Sequence, residues 1–194
     1  MEFLYTDFSG ATEFFEGPGA CEWSELNEVL EKCTLQLQPS DQKGKIGSPI
    51  FDPKATNREL TDEAAIAGWH KKVVPAKLKE FGLDWDSGKR TTLVEWQFSN
   101  YPFLWNNITR TESAFRSALP IQGLDGVEAL VVVTKSGSLP ASNSTLYYEQ
   151  AAAQLANTTA LGIFQIPIRL VGITVPIFAG KVSANWNSYS GRYS

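Results

Sequence analysis

The sequence has few of the side chains that hydrolases and metalloproteins most often use. It carries one histidine, His70, and two cysteines, Cys21 and Cys33. That stock supports neither a four-ligand zinc site nor a Ser-His-Asp triad. His70 stands beside Trp69, Lys71 and Lys72 and reads as a surface or packed residue. No glycine-rich loop precedes a helix, so nothing supports a nucleotide-binding enzyme. No stretch reaches the roughly 18 apolar residues of a membrane span. The opening MEFLYTDFSGATEFFEG contains acids and no basic region, so a secretory signal is not expected. Cys21 and Cys33 lie 12 residues apart. In a helix they would be far apart along its axis, so no disulfide is expected between them. A reducing, cytoplasmic, prokaryotic setting is the matching expectation. The glycosylation sequons at Asn107, Asn143 and Asn157 are then coincidental.

Charge is also scarce in one sign, but only locally. Residues 1–42 hold nine acids and one base, for −8; residues 43–90 hold ten bases and seven acids, for +3; residues 91–194 come to +1. The overall −4 is therefore a property of the N-terminal segment, and the remainder is mildly basic. A DNA footprint needs a local basic surface, not a basic average. The distribution permits a DNA partner without demanding one.

Hydrophobic residues make up 43% and charged residues 20% of the 194, the balance of one ordinary globular domain. There is no internal repeat. Residues 22–38 place Trp23, Leu26, Leu30, Cys33 and Leu37 at helical spacing. Residues 39–58 read as loop with a short extended piece, SPIF. Residues 61–73 read as a helix capped by Thr61 or Asp62, interrupted by Pro75. A strand over 91–98, a helix over 102–117, a strand over 127–134, a helix over 144–157 and a strand over 166–175 follow. That alternation implies an α/β fold with a mixed or parallel sheet. The tail, 176–194, is irregular or a small β element.

One strand carries unusual polarity. Alternation puts Val94, Trp96 and Phe98 on one face and Glu95 and Gln97 on the other. The turn SGKR at 87–90 folds the preceding DWD segment back beside this strand, so Asp86, or Asp84 in another register, meets Glu95. Two converging carboxylates repel unless a cation joins them, and hard oxygen donors suit Mg2+. A solvated strand face with a polar hairpin explains the same pattern without chemistry. Lys89 and Arg90 read as a solvated turn or as phosphate contacts. SNST at 142–145 caps the next helix or reads base edges.

The stretches SDQKGKIGSPIFDP (40–53), DSGKRTTLVEWQFSNYPFLWNN (86–107), PASNSTLYYEQA (140–151) and PIRLVG (167–172) resemble the BglII-type type II restriction endonucleases. The resemblance runs from about residue 20 to 172. It implies a single domain over 1–194 with the restriction-endonuclease-like core, a mixed β-sheet flanked by helices, and a small β subdomain. It implies a homodimer that cuts duplex DNA at a palindromic hexamer with a GATC core, A/GATCT, or at an RGATCY-like site. The family's acid, spacer, Glu-x-Lys pattern matches Asp86, Glu95 and Gln97 as catalytic residues, with Gln in place of Lys. Mg2+ falls to Asp86 and the backbone carbonyl of Trp96. DNA contacts fall to Asn143, Ser144, Ser99, Asn100, Arg110 and Tyr193. Three departures stand out. Lys71 or Lys72 occupies the place of a family Asn near the site. Trp96 replaces a small aliphatic residue. The sequence ends at Ser194, where the relative continues. The competing expectations are a DNA-binding protein without cleavage and an interaction domain whose acidic N-terminal helix mediates dimerisation.

Overall fold

The structure, a computed structural model, describes residues 1–82, 84–141, 146–176 and 181–189. Its strands are β1 (Glu2–Phe8), β2 (Leu35–Pro39), β3 (Pro49–Phe51), β4 (Ser87–Lys89), β5 (Thr92–Trp96), β6 (Ala129–Lys135), β7 (Ile168–Thr174) and β8 (Ala184–Trp186). Its α-helices are α1 (Ala11–Glu16), α2 (Ala20–Lys32), α3 (Pro53–Ile66), α4 (Pro102–Arg116) and α5 (Tyr148–Ala160). A five-stranded sheet runs β1-β7-β6-β5-β4, and a three-stranded sheet runs β3-β2-β8. In the larger sheet β5, β6 and β7 are parallel, while β1 and β4 run antiparallel along its edges. This is the mixed sheet that the β-α-β-α-β order implies.

The alternating faces of the parallel strands divide the interior in two. Val94, Trp96, Val131, Val133, Val171 and Ile173 pack with Phe14, Phe15, Leu26 and Leu30 of α1 and α2. Leu93, Leu130, Val132, Ile168 and Leu170 pack with Leu104 and Ile108 of α4 and Leu155 of α5. Strands buried on both faces need continuous apolar runs, which is what β6 and β7 have. Trp96 sits in the first cluster, 3% exposed. The volume it adds there lies on the face of β5 opposite Glu95 and Gln97.

Several boundaries differ from the sequence reading. The helix expected over 22–38 ends at Lys32, and Leu37 belongs to β2. The helix expected from residue 61 begins at Pro53, where Asp52 accepts from the Lys54 and Ala55 amides at 3.0 and 3.1 Å. β1 was not expected at all. The tail contributes β8, which pairs parallel with β2. Both cysteines are free, and Cys33 is buried beside Glu59, its Sγ 3.4 Å from Oε2. Among the described residues no helix is long and apolar enough to cross a membrane.

Candidate active site

The site forms where β4 and β5 meet at the sheet edge. Arg90 turns the hairpin with φ 48, and Ser87 pairs with Val94. The next position back along β4 is Asp86, which this register sets against the C-terminal end of β5. There the Trp96 amide donates to Asp86 Oδ2 at 2.8 Å. Asp86, not Asp84, is therefore the neighbour of Glu95. Asp84 instead accepts from the Val74 amide at 3.0 Å and pairs with Lys71 Nζ at 3.0 Å. Those two partners hold its carboxyl below the usual range, the Val74 amide foremost.

Glu95 is 4% exposed and forms an ion pair with Arg110 of α4, which is 0% exposed. The guanidinium lies over the Trp85 ring, 4.8 Å from its centroid, and donates to Asn107 Oδ1 at 3.3 Å. Trp85 is fixed in turn by donating Nε1–H to Thr111 Oγ1 at 2.9 Å. Burial, and next the Asp86 carboxylate, push Glu95 well above the usual carboxylate range, against the pull of Arg110. Burial also raises Asp86, opposed by the Trp96 amide. Both shifts mean that charging this pair is costly without a further cation.

Gln97 is 4% exposed and its amide is held at both ends. Oε1 accepts from Asn107 Nδ2 at 2.9 Å. Nε2 donates to Ser99 Oγ at 3.0 Å and to the Asn100 carbonyl at 3.3 Å. An amide so held positions its neighbours but takes up no proton.

These groups open onto a cleft of about 250 Å3 lined by Asp84, Asp86, Glu95, Gln97, Lys71 and Asn57, among others. Trp96 reaches it through its backbone. Of Lys71 and Lys72, Lys71 lines the cleft. Lys72 pairs with Trp85 in an antiparallel bridge, so their side chains share the inner face and Lys71 takes the cleft face with Asp84 and Asp86. Lys72 is buried, donates to the Gly123 carbonyl at 2.9 Å, and is lowered in pKa by that burial. Gly88 makes room for its stem, since a Cβ there would stand 2.9 Å from Lys72 Cγ.

The remaining expected site residues divide. Ser99 and Asn100 are exposed just past β5. The Ser99 carbonyl accepts from the Leu146 amide at 3.2 Å, which ties this strand end to the residue after SNST. Asn143, Ser144 and Tyr193 lie outside the described residues. Arg110, expected as a DNA contact, is buried and paired with Glu95, behind the carboxylates. Lys89 and Arg90 are engaged by α2, with Lys89 Nζ 2.6 Å and Arg90 Nη2 3.2 Å from the Glu25 carboxylate. Asn57, Asn107 and the Arg110 pairing with Glu95 were not legible. They lie on helices rather than on the strand that carries the motif, and only the i, i+3 spacing of Asn107 and Arg110 hinted that one helix face serves the site.

A mixed sheet with one buried and one half-buried carboxylate and an amide at a strand end is an all-oxygen acidic site built without histidine. The family model for the restriction endonucleases BglII and BglIII matches residues 3–173, and the chain belongs to that family and is a restriction endonuclease. It is 42% identical over 174 residues to the type II restriction enzyme BglII of Bacillus subtilis, covering 89% of this chain and 76% of the relative. It is also similar to the crystal structure of BglII complexed with a DNA 16-mer, with a TM-score of 0.92, 39% identity and coverage of 100% of this chain and 85% of that one. Against free BglII the TM-score is 0.74, with 34% identity and coverage of 98% and 88%.

Proposed function

We propose that this chain acts as a homodimer that binds duplex DNA and, with Mg2+, hydrolyses it at a palindromic hexamer with a GATC core. A/GATCT is the favoured site, and the cut leaves 5′-phosphate overhangs. The observation that carries the reading is the convergence of half-buried Asp86 and buried Glu95, both raised in pKa, beside a fixed Gln97.

The donor set fits the ion. Two carboxylates that burial and proximity make costly to charge are relieved by a divalent cation between them. Among the described residues no three or more His, Cys, Asp or Glu are placed to hold a metal ion together. Few protein ligands, all oxygen, suit Mg2+, which keeps several of its waters. Asp86 and the Trp96 carbonyl would hold it. When bound, Mg2+ supplies the charge that acidifies water and stabilises the leaving oxygen.

The chain's own residues supply position. The Trp96 amide fixes one oxygen of Asp86, Arg110 holds Glu95, and Asn107 holds Gln97. Glu95 and Gln97 orient water for in-line attack on phosphorus. The new bond is P–O from water, the bond to the 3′ oxygen breaks, and the products are a 5′-phosphate and a 3′-hydroxyl. Ser99 and Asn100, with Asn143 and Ser144, read base edges, at about 1–3 kcal/mol of discrimination per contact.

Replacing Asp86 by Ala tests the reading. Single-turnover cleavage of an AGATCT duplex should fall by about three orders of magnitude or more, while binding in Ca2+ persists. Cleavage retained in Asp86→Ala would remove Asp86 from the mechanism.

A further inference from the structure

We propose that Lys71 is the phosphate-binding cation of the cleft and supplies to the scissile phosphodiester the positive charge that Gln97 lacks. The inference rests on the nuclease reading above and assigns a residue that the acid-Glu-x-Gln pattern does not contain.

Charge balance in the cleft is the first ground. Asp84, Asp86 and Glu95 line it, and Lys71 is the lone basic side chain among the described lining residues. A phosphodiester entering there adds a fourth negative group. Arg110 is committed to Glu95 beneath the floor. The Gln97 amide is held by Asn107, Ser99 and Asn100 and carries no charge.

Geometry is the second ground. The Lys72–Trp85 bridge fixes the backbone on either side of Lys71 and sets Lys71 across from Asp86 on the cleft face. Its side chain is 66% exposed, and Asp84 holds Nζ at 3.0 Å. Asp84 is itself anchored by the Val74 amide at 3.0 Å. The ammonium is thus stored on the cleft wall by an anchored carboxylate, on a flexible stem long enough to swing from one oxyanion to another. A compact, rotatable ammonium serves a phosphate as a point charge.

The test uses the full chain as wild type, Lys71→Met and Lys71→Arg. Binding to an AGATCT duplex is measured in EDTA across a salt series, and single-turnover cleavage is measured in Mg2+. The salt slope of log binding changes by about 0.9 per phosphate contact. Lys71→Met should therefore lower the slope by about 1.8 for a dimer and slow cleavage at least ten-fold. Lys71→Arg should keep the slope. Equal unfolding midpoints for the three proteins show that the fold is shared. Wild-type cleavage with an unchanged slope and rate in Lys71→Met overturns the assignment alone. No metal-dependent cleavage by the wild type overturns the nuclease reading beneath it.

Discussion

Glu95 sits where three influences meet: burial, a neighbouring carboxylate and a buried guanidinium. Its position on β5 was legible, because E-x-Q breaks an apolar strand and alternation sends both polar side chains to one face. Its partner was not, because Arg110 lies 15 residues on, in another element. Taking one partner from a buried ion pair typically costs about 3–5 kcal/mol. Arg110→Met should destabilise the protein by that amount in urea titration at neutral pH. The loss should shrink at acid pH, where Glu95 is protonated. The wild-type carboxylates make a second prediction. A carboxyl whose folded pKa is raised binds more protons folded than unfolded between its ordinary range and the raised value. Stability therefore falls as pH climbs through that window. Ca2+ bound by Asp86 and the Trp96 carbonyl, beside Glu95, should cancel the fall. The Ca2+-induced rise in unfolding temperature should grow from pH 5 to pH 8, and a rise independent of pH would contradict the placement of the cation.

The elements divide by how local their signals are. β6 and β7 were legible because a strand buried on both faces must be apolar throughout. β1 was not. It is an edge strand with only Phe8 buried, so its pattern lacks the clean alternation of a half-buried strand. α2 was read too long because Cys33 and Leu37 continue its helical spacing. The chain nevertheless leaves the helix after Lys32, and Cys33 is extended, with ψ 135. The start of α3 was misplaced because Asp52-Pro53, a strong cap and first-turn pair, follows the strand residues Ile50 and Phe51 directly. Asp52 also accepts from Tyr189 Oη at 2.6 Å, so one carboxylate starts a helix and anchors the chain just past β8. Asp52→Ala should cost about 2 kcal/mol, the cap plus one charged hydrogen bond, read by chemical denaturation. Asp52→Asn, which can still cap, should cost less.

At the scale of the molecule, the charge asymmetry of the sequence is partly neutralised by folding. The acidic N-terminal residues meet basic partners from the later chain: Glu25 with Lys89 and Arg90, and Asp7 with Arg169 at 2.6 Å. The bases of the SGKR turn thus serve α2. The acids left beside the cleft are those of the site itself. The class of fold could be read from the strand and helix order, and the catalytic register followed from the family resemblance. The pairings that make the site rigid join α4 to β5 and the 71–72 segment to 84–86, and contacts between separate elements leave little local trace. What they build is the cleft to which the proposed function assigns a cation and a phosphodiester.

The most direct test is a digest of a plasmid bearing one AGATCT and several other GATC sites, with Mg2+ and with EDTA. A single Mg2+-dependent cut at AGATCT, with a 5′-phosphate on the product, is the expected result. Intact plasmid, from protein shown to be folded, would contradict the account.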